Sequence, residues 1–311
     1  MDADFHHEPV LLKEVIDWLC IKEEGIYVDG TVGGAGHAHA ILKKTGGFLV
    51  GIDRDAEALR NAEKRLAEFG SRKVLVKADF AELGKVLENL QIKKIDGVLL
   101  DLGVSSAQLD QAERGFSFSQ TAPLDMRMDR SLKLSAYDIV NNFAQKDLEK
   151  IIRTFGEEKM AGRIARAISQ KRRSAPLETT SELAAVVISA IPSKLRRQKI
   201  HPATKTFQAI RIAVNNELES IAPAIDAAVA LLNHGGRIGI ISFHSLEDRI
   251  VKNAFRNLAG ACNCPPHVPV CICKREAVLK VLTKKALFPG IAEMEANPRS
   301  RSARMRVAER V

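Results

Sequence analysis

Four apolar runs in the first third of the chain each end in an aspartate: Ile26-Tyr27-Val28-Asp29, Phe48-Leu49-Val50-Gly51-Ile52-Asp53, Val74-Leu75-Val76-Lys77-Ala78-Asp79 and Val98-Leu99-Leu100-Asp101. They recur roughly every 22 to 26 residues, the interval that a strand, a turn, a short helix and a return loop require. Near-continuous Val, Ile and Leu is the signature of parallel strands covered on both faces. The pattern therefore predicts a βαβαβαβ array. In such sheets ligands bind outside the carboxyl ends of the strands, so four carboxylates at successive strand ends would line one crevice. A nucleotide-like ligand is the first class to consider.

A chain of 311 residues holds one large domain and a smaller one. No apolar run approaches the roughly 18 residues of a spanning helix, and the first eight residues carry neither a basic n-region nor an apolar h-region. The expectation is a cytoplasmic protein without a membrane partner. Five cysteines, four of them in one short irregular stretch, do not form a secreted disulfide framework. The formal charge of +9 suits a polyanionic partner and equally a somewhat basic soluble enzyme. Two Tyr and one Trp argue against a broad aromatic platform for single strands.

Spacing at three and four predicts a first helix from Pro9 to Cys20, carrying Val10, Leu11, Val15, Ile16 and Leu19 on one face. After Leu102 the next strand signal is Gly235-Gly236-Arg237-Ile238-Gly239-Ile240-Ile241-Ser242. The intervening stretch reads as helical. Ser135 with Asp138 and Thr179 with Glu182 read as capping boxes, and Gly156 as a helix stop. The return to the sheet runs from Thr204 into a long helix ending near Asn233, and Ser245 to Leu258 reads as a further helix. Ala277–Thr283 and Ser302–Ala308 read as an antiparallel edge. The resulting division is residues 1–104 and 204–311 for the sheet domain and 105–203 for a helical insertion. Basic residues crowd the insertion at Lys159, Arg163, Arg166, Lys171, Arg172 and Arg173, then at Lys194, Arg196, Arg197 and Lys199. They are either an RNA-contacting face or a solvated helix surface.

Asp29-Gly30-Thr31-Val32-Gly33-Gly34-Ala35-Gly36-His37 follows a strand and opens a helix. Such a turn lets backbone approach a ligand closely. Alone it equally suggests a dinucleotide site. A carboxylate at Asp29 would repel a pyrophosphate, however, and suits the ammonium of an amino-acid ligand. Asp53 at the next strand end suits both hydroxyls of a ribose, and Asp79-Phe80 offers an acceptor and an aromatic face to an adenine. Amino acid, ribose and adenine together describe S-adenosylmethionine. The alternative for each Asp is a helix N-cap, and four such caps beside this turn form a less economical account.

Longer segments carry a family resemblance. They are His7-Glu8-Pro9-Val10-Leu11-Leu12, the turn through Gly36-His37, Asp101-Leu102-Gly103-Val104-Ser105-Ser106-Ala107-Gln108-Leu109-Asp110, Arg114-Gly115-Phe116-Ser117-Phe118, Pro123-Leu124-Asp125-Met126-Arg127-Met128-Asp129, His201 through Arg211, Ser242 through Arg249 and Asn297 through Ser302. Over nearly its whole length the chain resembles the ribosomal RNA small subunit methyltransferase H family. The resemblance implies a Rossmann-like class I S-adenosylmethionine-dependent methyltransferase fold with a helical insertion after the fourth strand. It implies methylation of the exocyclic N4 amine of a cytidine in the decoding region of 16S rRNA, within the small ribosomal subunit. It also implies cofactor contacts at Gly36, His37, Asp53, Phe80, Asp101 and Gln108, beside Asp29, Gly34 and Ala35 of the turn. The family's turn usually has glycine where this chain has Ala35, a change that matters little if φ there is negative. The oligomeric state is left open, a homodimer included.

A cytosine amine is a poor nucleophile, so an acceptor must meet its N–H as the methyl transfers. Many amino-methyltransferases carry an Asp-Pro-Pro-aromatic tetrad here; Asp101-Leu102-Gly103-Val104 keeps the acceptor and lacks the aromatic. Phe116 or Phe118 are candidates to clamp the base, or core residues. Asp125, Arg127 and Asp129 order the base or its phosphate, or form a structural ion cluster. His244 acts on substrate or is a structural histidine. Cys262, Cys264, Cys271 and Cys273, with His267, hold either a structural zinc or reduced thiols. The competing functions are a DNA or tRNA methyltransferase, an RNA-binding assembly factor with a vestigial cofactor fold, and an NAD-linked dehydrogenase, which Asp29 disfavours.

Overall fold

The computed structural model describes residues 9–196, 200–262, 264 and 275–311. In chain order the principal elements are α1 (Leu12–Leu19), β1 (Ile26–Asp29), α2 (Gly36–Lys44), β2 (Phe48–Asp53), α3 (Ala56–Arg65), β3 (Lys73–Lys77), α4 (Leu83–Asn89) and β4 (Ile95–Asp101). Seven helices follow: α5 (Ser106–Asp110), α6 (Ala136–Asn142), α7 (Gln145–Gly156), α8 (Ala161–Lys171), α9 (Thr180–Ala190), α10 (Ser193–Arg196) and α11 (Thr204–Asn215). The chain ends with α12 (Ile221–Leu231), β5 (Leu232–Ser242), α13 (Ser245–Leu258), β6 (Leu279–Val281), α14 (Ile291–Ala296) and β7 (Arg304–Arg310).

The strands form one sheet in the order β3-β2-β1-β4-β5-β7-β6. Val28 pairs in parallel with Val50 on one side and Val98 on the other, whereas β7 runs antiparallel to both β5 and β6. This is the Rossmann-like sheet expected, with the predicted antiparallel edge. Sequence order reverses between β1 and β4, so the switch point lies between Asp29 and Asp101 at their carboxyl ends. The two-residue period of the strands feeds a core on each face. Val98 and Leu100 pack with α4, α12 and α13; Leu99 faces the other way with Leu49 and Tyr27 against α1 and α2.

The contacts divide the chain into a sheet unit, residues 1–103 and 218–311, and a helical unit, Val104–Glu217. The second boundary falls beyond the expected 203. Phe207, Ile210 and Val214 of α11 share a buried core with Ile152 of α7 and Ile164 of α8, which assigns α11 to the helical unit. The single long helix expected from Thr204 to near Asn233 is two, because Asn216 turns left-handed at φ 50° and Pro223 fits only the first turn of the next. Gly156 is the last residue of α7, and Glu157 is the left-handed cap. Glycine is required at 156 because a Cβ would lie 2.6 Å from the Lys205 carbonyl oxygen. Both predicted capping boxes are formed. The third strand stops at Lys77, short of Asp79. Among the described residues, no helix is long and apolar enough to cross a membrane.

Candidate active site

The turn after β1 is built by its own backbone. Asp29 Oδ1 accepts from the Thr31 N–H at 3.2 Å, and Val32 N–H donates to the Ile52 carbonyl. At Gly36 a Cβ would lie 2.2 Å from Pro9 Cγ, so no other residue lets α2 start there. Gly34 is exposed with nothing within 4 Å of where a Cβ would sit, which leaves room beside the turn. Ala35 caps α2 in the left-handed region, at φ 58°. The condition that φ be negative there fails, and this alanine is strained where a glycine would not be.

Asp53 accepts the Gly33 N–H on Oδ2 at 2.8 Å and the Asp55 N–H on Oδ1 at 2.8 Å. Each carboxylate oxygen keeps a further lone pair for a hydroxyl. At the end of β4 the Asp101 N–H donates to Thr31 Oγ1 at 2.6 Å, while the Asp101 Oδ1 atom is buried without a hydrogen-bond partner. Its Oδ2 lies 3.8 Å from His37 Nδ1. His37 is buried, and its Nε2 donates to the Val10 carbonyl at 2.9 Å.

Electrostatics set these carboxylates apart from surface acids. Burial, partly offset by the Thr31 N–H and reinforced by Asp53, pushes Asp29 up to about 7. Asp101 is held well above the usual carboxylate range, by burial first and then by Asp29 and Glu247. Burial likewise raises Asp53. A cation entering the switch-point crevice relieves this crowding, and hydroxyl or amine N–H groups find acceptors there.

The other positions expected in the sheet unit are less open. Asp79 caps the short helix Phe80–Glu82 through the Ala81 N–H at 2.9 Å and pairs with Arg54 at 3.1 Å. Phe80 is buried, with the Arg54 guanidinium 5.6 Å from its ring centroid. His244 is the N-cap of α13: its Nδ1 accepts the Glu247 N–H at 3.3 Å, and Glu247 Oε2 accepts the Phe243 and His244 N–H groups. The cap fixes the ring, and places its buried Nε2 3.2 Å from Glu247 Oε1. Thr31 and Glu247 were not singled out from the sequence; a glutamate three residues after the cap was the available signal for the latter.

In the helical unit Gln108 is buried and closes the capping box of α5 with Ser105. Arg127 forks onto Asp125, with Nε–Oδ1 at 2.7 Å and Nη2–Oδ2 at 2.8 Å, and also donates to the Leu132 carbonyl. Burial alone would raise Asp125, but the Arg127 bonds outweigh it and hold the carboxyl below its ordinary range. Asp129 accepts the Ser131 N–H within a turn. Arg114, fully buried, and Asn215 tie the same loop down through the carbonyls of Met126, Arg127 and Met128. Asp125 and Arg127 are thus paired with each other within this loop. Phe116 is buried in the core, and Phe118 is half-buried. Arg172 is half-exposed, and its guanidinium donates to the Val140 carbonyl at 2.6 Å and to that of Phe143, capping the end of α6. Arg173 is exposed, and Arg196 is exposed with Nε on the Ile191 carbonyl.

Cys262 is exposed and Cys264 half-buried, the Cys264 N–H pointing at Cys262 Sγ at 3.4 Å. Cys271, Cys273, His267 and Arg197 lie outside the described residues.

The whole chain also has recognisable relatives. The sequence pattern of the MraW methylase family matches residues 4–311. The chain is similar to the ribosomal RNA small subunit methyltransferase H of Syntrophus aciditrophicus, 57% identical over 308 residues that cover 98% of each chain. It is 53% identical over 310 residues to the protein of the same description from Clostridioides difficile, covering 99% of this chain and 100% of the relative.

Proposed function

The chain belongs to the MraW methylase family, and from that premise we propose that it methylates the exocyclic N4 amine of a cytidine in the decoding region of 16S rRNA, acting on the small ribosomal subunit in the cytoplasm. It is a methyltransferase of the Rossmann-like class I fold, and its cofactor is S-adenosylmethionine. The residues at the switch point fit that group. Gly34 leaves space beside the turn, Asp53 keeps acceptor capacity for ribose hydroxyls, and Asp29 offers a carboxylate to an ammonium. Ala35, Gly36, His37 and Phe80 complete the proposed cofactor contacts, and Gln108 is added on the family resemblance alone.

The bound cofactor supplies an electrophilic methyl on a sulfonium. The observation that carries the reading is the buried, unpartnered Oδ1 of Asp101 at the carboxyl end of β4. A cation in the site favours the ionised forms of Asp29 and Asp101, so Asp101 is then an acceptor for the amine N–H. Holding that N–H directs the nitrogen lone pair toward the methyl and draws off charge as the bond forms. The exposed Arg163, Arg166 and Arg173 are assigned to RNA phosphates.

The test is methyl transfer from labelled cofactor to small subunits prepared from a strain lacking this protein, with mass mapping of the modified nucleotide. One methyl on a decoding-region cytidine N4 is the expected product. A methyl at carbon or ribose oxygen, or none, overturns the assignment.

A further inference from the structure

A stacked pair of rings in the helical unit, with a third ring edge-on behind it, ends on an exposed histidine. Phe118 and His201 lie nearly parallel, with centroids 4.4 Å apart and planes at 24°. Phe207, buried on α11, meets Phe118 edge-on at 5.0 Å. Phe118 is thus fixed from both sides and half-buried, whereas His201, the outermost ring, is exposed. His201 is also fixed in place: its Nδ1 accepts the Ala203 N–H at 3.2 Å at the start of α11. Ile200 beside it is 58% exposed. Aromatic stacks in a core end under other side chains. An exposed ring stacked on a phenylalanine that is itself braced by another is instead the form of surface on which an unpaired base stacks.

We propose that the outer face of His201, backed by Phe118 and Phe207, is a stacking subsite for an unpaired nucleobase of the RNA substrate. It is separate from the acceptor chemistry of Asp101. The proposal rests on the reading that this methyltransferase acts on RNA. A base laid on the ring loses little conformational entropy on the protein side, since both aromatic rings beneath it are already held. Stacking on a base is worth about 1–3 kcal/mol per base by alanine substitution, roughly 5- to 150-fold in affinity.

Two substitutions separate stacking from a purely structural cap. His201→Asn keeps a side-chain acceptor for the Ala203 N–H and deletes the ring face; His201→Phe keeps the face and deletes the acceptor. Methyl transfer is measured on small subunits lacking the modification, with KM for subunits and kcat read separately and with cofactor affinity as the control. Stacking predicts that Asn raises KM about tenfold or more while Phe stays within about twofold of wild type. An Asn variant with unchanged KM, or a Phe variant impaired as much as Asn, overturns it. Failure of the wild-type protein to methylate the subunits would refute the RNA-substrate reading instead, and binding of a labelled single-stranded RNA by the two variants would still decide whether the ring stacks bases.

Discussion

The sheet unit and the helical unit dispose of their charges in opposite ways. In the helical unit several half-buried or buried charges are matched, Asp125 by Arg127, Glu217 by Arg211 and Arg172 by two carbonyls, and exposed arginines such as Arg163, Arg166 and Arg173 lie on the surface. In the sheet unit Asp29, Asp53 and Asp101 crowd one end of the sheet, and each is pushed upward by burial. Backbone N–H groups hold the first two in place without neutralising them. Paired charges define a fold, whereas buried like charges cost stability and persist where a ligand answers them. The contrast makes opposite demands on substitutions in the two units.

The largest effect is expected at Asp101→Asn. If its unpartnered oxygen meets the amine N–H, turnover falls by about 10²-fold or more while cofactor affinity changes much less. Equal losses in kcat and cofactor binding would reduce Asp101 to a cofactor contact. In the helical unit the corresponding test is Asp125→Ala, which leaves Arg127 without its fork. Both side chains retain some exposure, 15% and 25%, so the cost of breaking a buried pair is discounted to about 2 kcal/mol. Denaturant unfolding should show that loss with cofactor affinity unchanged. A stability change below about 0.5 kcal/mol would remove the structural reading of this cluster.

How far the sequence reveals each unit follows from the same contrast. The parallel strands were legible because period-two burial on both faces leaves unbroken Val, Ile and Leu, and because Asp29, Asp53 and Asp101 stand at strand ends. Asp79 looked equivalent, yet the edge strand β3 stops earlier and Asp79 caps a helix turn. The helices were legible from their capping boxes. Their assignment to a unit was not: the apolar face of α11 could have packed on the sheet as well as on α7, and the close approach at Gly156 that seats it on α7 has no local periodicity to announce it. Arg172 and Arg173 are adjacent and chemically identical in the sequence. Only the position of the α6 carbonyls decides that one turns inward.

A smaller effect should appear in the pH dependence of cofactor binding. With Asp29 at about 7 in the free protein, binding a cation requires its ionised form. Near pH 6 only about a tenth of the protein offers it, so affinity should rise about tenfold between pH 6 and 8. Asp29→Asn should bind weakly and flatten the slope in that range. For stability the sign is reversed: the native state holds this proton above the unfolded value of 3.8, so the ligand-free protein loses stability as pH rises from about 4 to about 7. Cofactor affinity that is flat or falls from pH 6 to 8 would place the ammonium elsewhere.

The smallest effect is expected at the strained alanine of the sheet unit. Ala35 adopts φ 58° and is fully buried among Val32, Ala38 and Ile41. Left-handed backbone costs a residue with a Cβ about 1–2 kcal/mol, a cost that Ala35→Gly removes. Two terms oppose the gain. Glycine adds about 0.4–1 kcal/mol of unfolded-state entropy, and deleting a buried methyl loses about 0.8 kcal/mol. The sum lies within about 0.8 kcal/mol of zero. Met126 holds the same handedness in the helical unit, at φ 57°, but its fully buried side chain leaves no such balance. Chemical unfolding of Ala35→Gly should therefore return a midpoint close to that of the parent, with cofactor affinity preserved because the backbone path of the turn is unchanged. A loss beyond about 1.5 kcal/mol would mean that packing of one methyl outweighs the strain, and that the turn holds its ligand-binding shape through side-chain contacts.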